Sequence, residues 1–101
     1  LHRAELTVFA EGVADILRRD PAKSARVRRD KAIAALRCPW MHALLERMKI
    51  EGAYSAYYLP CRWHSTRLIW ALAEAKRTGS PLYGKLDWAG YYLLRGKMRR
   101  D

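Results

Sequence analysis

Acidic residues are scarce in this chain. Ten Asp and Glu stand against 20 Lys and Arg over 101 residues, leaving a formal net charge of +10. A compact body of that size repels itself at such a charge, and a polyanion offsets the repulsion. Cysteine is scarce too. Two residues, Cys38 and Cys61, do not make the disulfide framework of a small secreted domain, and a reducing, cytoplasmic location is the expectation. Long apolar runs are missing. The longest, Leu68-Ile69-Trp70-Ala71-Leu72-Ala73, is far short of the ~20 residues a membrane span needs. No secretory signal pattern stands at the start. Leu1 is not an initiator Met, as in a chain trimmed at its start. Low-complexity segments and long linkers are absent. So are a Gly-rich phosphate loop and a nucleophile motif. Ser65 adjoins His64, but neighbours on a helix point apart. Asp15, Asp20, Asp30 and Asp87 read as helix-end and surface charges. An enzyme is therefore not expected.

What is present argues for a folded helical domain. Half of the residues are apolar, too many for a disordered basic tail. One domain, 1–101, is the natural division at this length. Its core is thin, because small domains bury a smaller share of their surface. Leu6, Phe9, Val13, Ile16 and Leu17 follow the 3–4 spacing of a helix buried on one side. Asp20-Pro21 then ends that helix and opens a second, to about Arg37. Ala22, Ala25, Ala32, Ile33 and Leu36 share one of its faces, and Arg29 falls inside that stripe. A third helix starts near Pro39, with Met41, Leu44, Leu45 and Met48 inward and Gly52 closing it. The stretch 53–59 holds Tyr54, Tyr57 and Tyr58 and is open between loop, helical turn and brief strand. A fourth helix is expected from Pro60 to about Thr78. Ser80-Pro81 and Gly84 form a connector, and Asp87 caps a last helix of Trp88, Tyr91, Tyr92, Leu93 and Leu94. The expected fold is an all-α single bundle of four or five helices.

The basic residues cluster, and aromatics lie among them. Lys23, Arg26, Arg28, Arg29 and Lys31 spread round much of the second helix. That suits phosphate contacts, since phosphates line both sides of any groove. Arg95, Lys97, Arg99 and Arg100 form a second cluster at the end. On the fourth helix Trp63, Arg67 and Trp70 stand at i, i+4, i+7 on a charged face, with Arg62 beside them. Leu68, Ile69, Leu72 and Ala75 form the opposite, core arc. Trp63 and Trp70 are either stacking platforms for bases or packing anchors in a cation–π ladder.

Cys38 with His42 and Cys61 with His64 each stand near a helix start. Four such side chains are the usual ligands of a closed zinc site; the alternative is two buried cysteines and two ordinary histidines. Zinc is the one cofactor these residues raise, and it is not required by any other feature.

Leu86-Asp87-Trp88 opening a helix with Leu93 and Leu94, and the arginine-rich run Ala25-Arg26-Val27-Arg28-Arg29, together cover about a quarter of the chain. In both stretches it resembles the small subunits of CRISPR RNA-guided effector complexes. The resemblance implies a short, basic, all-helical subunit of an RNA-guided complex that contacts the backbone of the displaced or target DNA strand through Arg and Lys, without catalysis. From the charge pattern itself, the expectation is nucleic-acid backbone binding through Lys23, Arg26, Arg28 and Lys31, with Arg62, Arg67, Arg95 and Arg99. Two rivals stand beside it: a free-standing helix-turn-helix regulator, and an inhibitor-like interaction protein for an acidic partner.

Overall fold

Apolar residues at 3–4 spacing build α1 (His2–Arg18), which buries Leu6, Ala10, Val13 and Ala14. The computed structural model describes residues 2–18 and 24–94. Among them α1 is the hub, lying against α2 (Ala25–Leu36), α3 (Pro39–Glu51) and α5 (Thr66–Arg77). The second helix begins at Ser24, whose Oγ accepts the Val27 N–H at 3.2 Å. Asp20, Pro21 and Ala22, expected to cap, open and line it, lie outside the described residues. Of its expected inner face Ala32 and Leu36 are buried, Ile33 is half-buried and Ala25 is exposed. Arg29 is exposed and does not enter the core.

The third helix matches its pattern. Met41, Leu44, Leu45 and Met48 are buried, and Gly52 closes it at φ 67°, the left-handed conformation glycine adopts without cost. Cys38 caps its start: the Sγ accepts the Met41 N–H at 3.4 Å. The Tyr-rich stretch, left open by the sequence, is a loop running into α4 (Tyr58–Arg62). All three tyrosines are core residues, Tyr54 and Tyr58 meeting edge to face with ring centroids 4.7 Å apart.

The expected fourth helix is two. After α4, Trp63 and His64 leave the helix, and His64 takes φ 54°, the one left-handed non-glycine residue among those described. Ser65 then caps α5 by accepting the Leu68 N–H at 3.3 Å. Ser65, a favoured N-cap residue, is the sequence signal of this break. Ile69, Leu72 and Ala73 face the core, whereas Leu68 is exposed.

Ser80 caps α6 (Pro81–Ala89), which runs through Gly84 and ends in a π-helical turn, Gly90–Leu94. The Ser80–Gly84 stretch is therefore helix, not connector. Asp87 does not cap a helix of its own. Its carboxylate accepts the Arg3 Nη2–H at 2.6 Å and the Ala56 N–H at 2.9 Å, tying α6 to α1 and to the tyrosine loop. The fold is all-α, with six helices among the described residues where four or five were expected. The sixth helix arises from the break at His64, which periodicity alone does not reveal because both halves share one apolar rhythm.

Candidate nucleic-acid interface

Carboxylates are few, and most are occupied within the fold. Glu11 accepts from Lys76 at 2.6 Å, Asp15 from Arg18 at 3.2 Å, and Glu46 from Arg62 at 3.3 Å. Glu74 pairs with both Arg18 and Arg77, whose hydrogen bonds hold its carboxyl below the usual range. Asp87 takes Arg3, and Glu51 lies 2.7 Å from His2. These pairs stitch α1 to α5, α6 and α3 and α3 to α4, or lock one helix turn.

The opposite holds from 24 to 45. Five basic side chains, Arg26, Arg28, Arg29, Lys31 and Arg37, share that stretch with a single carboxylate, Asp30. Arg26, Arg29, Lys31 and Arg37 are exposed and Arg28 is half-buried. Only Ala32 and Leu36 of α2 are buried, so cations surround most of the helix. The excess positive charge thus collects on α2 and the corner leading into α3. Lys23, Arg95 and Arg99, expected in the same role, lie outside the described residues.

The expected Trp63–Arg67–Trp70 face does not form. Trp63 belongs to the end of α4, and the turn at His64 separates it from α5, so the helical register is lost. The cation over Trp70 is Arg18 of α1, 5.1 Å from the ring centroid. That contact joins α1 to α5, and Trp70 is still 36% exposed. Arg67 is exposed on α5. Trp63 is 62% exposed.

At the α2–α3 corner a cleft of about 380 Å³ is lined by Leu36, Arg37, His42, Leu45, Arg62 and His64. Four elements supply its polar groups: the α2 end, the first turns of α3, the end of α4, and the turn before α5. Arg62 is held in place, its Nη1 donating to Glu46 Oε1 and to the Tyr58 hydroxyl, each at 3.3 Å. The Tyr58 hydroxyl oxygen and Glu46 beside it keep the guanidinium protonated even more firmly than usual. His64 sits there in a left-handed conformation that costs a non-glycine residue on the order of 1 kcal/mol, a kind of strain that gathers at functional sites. The sequence missed this cleft because Arg37 and Arg62 meet only through tertiary packing.

The zinc candidates divide. His42 and His64 line the cleft together. Cys61 is buried in the core, which pushes its thiol up to about 12, and Cys38 is engaged as a helix cap. Among the described residues no group of three or more His, Cys, Asp or Glu is placed to hold a metal ion.

A second surface is apolar. Between α4, α5 and α6 a groove of about 340 Å³ is lined by Trp63, Leu68, Leu72, Leu86 and Leu93, among others. Leu93 is 66% exposed. The floor is Gly90 against the Ser55 backbone.

The chain matches no protein-family model, no curated protein and no solved structure. Leu86-Asp87-Trp88, one of the two stretches behind the resemblance to CRISPR small subunits, closes α6 and does not open a helix. The arginine-rich stretch 25–29 does open one. No helix among the described residues is long and apolar enough to cross a membrane.

Proposed function

We propose that this chain binds nucleic-acid backbone, without catalysis and with little regard to sequence, as a cytoplasmic subunit of a larger ribonucleoprotein. The observation that carries this is the separation of charge. Glu11, Asp15, Glu46, Glu74 and Asp87 are spent on ion pairs within the fold and Glu51 on His2, while α2 presents Arg26, Arg29 and Lys31 exposed around its circumference. Cations arrayed around a helix suit phosphates, whereas base readout needs one stripe of side chains aimed at base edges.

The helix-turn-helix alternative is less well supported. It needs a turn of about 3–4 residues between two helices. The stretch from Met41 to Leu72 instead holds α3, a buried tyrosine loop, α4 and the break at His64. The exposed apolar side chains of the groove, Trp63, Leu68 and Leu93 among them, support the subunit half of the proposal. Among such assemblies, the arginine-rich opening of α2 favours one of the CRISPR effector kind.

Fluorescence anisotropy with two unrelated single-stranded oligonucleotides across a salt series tests this. Four engaged cations give a log–log salt slope of about −3, with similar affinity for both sequences. Arg26→Ala with Arg28→Ala should make the slope shallower by about 0.7 per lost cation and leave the helical circular-dichroism signal intact. No binding at low salt would refute it, as would a preference of about 10³ or more for one sequence.

A further inference from the structure

Two arginines, two histidines and one strained backbone position converge on the cleft at the α2–α3 corner. Arg37 stands just before the cap of α3 and His42 in its first turn, and this helix of 13 residues has no acidic residue in that turn. The positive end of its dipole is therefore left uncompensated from within that turn. Arg62 is fixed by Glu46 and the Tyr58 hydroxyl, which sets its planar fork before any ligand arrives. Leu36 and Leu45 wall the cleft with apolar surface, which strengthens any charge interaction made against it.

We infer that this cleft is a phosphate seat, in which Arg37 and Arg62 hold one phosphate of a nucleic-acid strand and His42 and His64 make the grip pH-dependent. The inference rests on the proposed backbone binding and adds a defined seat to the diffuse contacts of α2. Histidine is the side chain that gains charge as pH falls from about 8 to about 5. Of the other groups at the cleft, Arg62 is held charged by the Tyr58 hydroxyl and Glu46, and burial pushes Tyr58 and Cys61 up; Arg37 and Glu46 stand there too. Cys38, at the head of α3, faces the Met41 N–H. The phosphodiester stays anionic throughout, so tighter binding at lower pH reports the imidazoles.

The test has two arms on the full chain. In the first, inorganic phosphate is titrated at fixed pH while the imidazole nitrogens are followed by NMR. His42 and His64 should shift together and saturate, with His2, bound to Glu51 elsewhere, as an unmoved control. In the second, a single-stranded oligonucleotide lacking terminal phosphate is bound at about pH 6 and about pH 8 at equal ionic strength. The wild type should bind about 3- to 10-fold tighter at the lower pH. His42→Gln with His64→Asn should lose that difference yet still bind through α2. Asn tolerates the left-handed backbone of position 64, so this variant keeps the fold. If the double variant retains the pH dependence, or phosphate moves neither imidazole, the seat is overturned while backbone binding stands. If phosphate saturates the cleft but no oligonucleotide binds, the seat stands as an anion site and the nucleic-acid proposal falls.

Discussion

Gly84 and Gly90 lie six positions apart on one helical run, and replacing each by alanine should move stability in opposite directions. An ordinary helical glycine costs about 1 kcal/mol relative to alanine. At Gly84 an added Cβ meets nothing within 4 Å. Gly84→Ala should therefore stabilise by about 0.5–1 kcal/mol, raising Tm by a few degrees. At Gly90 an ideal Cβ would stand 2.9 Å from the Ser55 carbonyl oxygen and 3.2 Å from its carbon. Both are backbone atoms, in a loop pinned by buried Tyr54 and Tyr57 and by the Asp87–Ala56 hydrogen bond. The loop must retreat by roughly half an ångström, and such overpacking typically costs about 1–3 kcal/mol. That outweighs the propensity gain, so the two variants should differ by about 1–3 kcal/mol. At about 4–8 °C per kcal/mol for a domain of this size, thermal circular dichroism resolves the gap easily. If Gly90→Ala stabilises as much as Gly84→Ala, the π-helical turn does not rest on the Ser55 backbone, and the floor of the apolar groove is misassigned.

Asp87→Ala removes acceptors from both Arg3 and the Ala56 N–H. With Arg3 40% exposed and its share discounted for solvent screening, the loss should be about 2 kcal/mol. That lowers Tm by about 10 °C, and a melt within about 2 °C of wild type refutes the cross-link. In native protein, iodoacetamide should modify Cys38 and spare Cys61 until denaturant is added, read by mass spectrometry. Rapid reaction of both would show that Cys61 is not buried. Burial raises the Cys61 thiol from 9.0 to about 12 and raises Tyr57 as well. The folded chain therefore keeps protons that the unfolded chain releases. This contribution to stability is complete below about pH 9 and is lost as pH rises toward 12. Urea midpoints should fall across that window, less steeply in Cys61→Ala. An equal slope in both would exclude the thiol as a cause.

Much of the site was legible as composition but not as geometry. The run Arg26–Lys31 is a line of text, and on α2 Arg26, Arg29 and Lys31 are exposed while Arg28 is half-buried. Arg62 and Arg67 looked equivalent beside the tryptophans. Tertiary structure separates them: Arg62 is anchored in a cleft by Glu46 and Tyr58, while Arg67 stands exposed on the next helix. Trp70 was expected to share a cation with Trp63 and instead receives Arg18 from 52 positions earlier in the chain, which no local spacing can encode. The paired Cys/His spacing pointed to one metal centre. Which of those side chains face inward depends on the core, and Cys61 is part of it.

By itself the sequence determined the helical class, the inner face of α3, the Leu6–Val13 line of α1 (whose Phe9, Ile16 and Leu17 are only half-buried), and the imbalance of charge. Each of these follows from local periodicity, from capping residues or from simple counting. Only the tertiary structure decided that the tyrosine stretch is core, that Asp87 is a cross-link, and that His42 and His64 share a cleft with Arg37 and Arg62. Those outcomes depend on contacts between distant segments, where burial and packing outweigh local propensity.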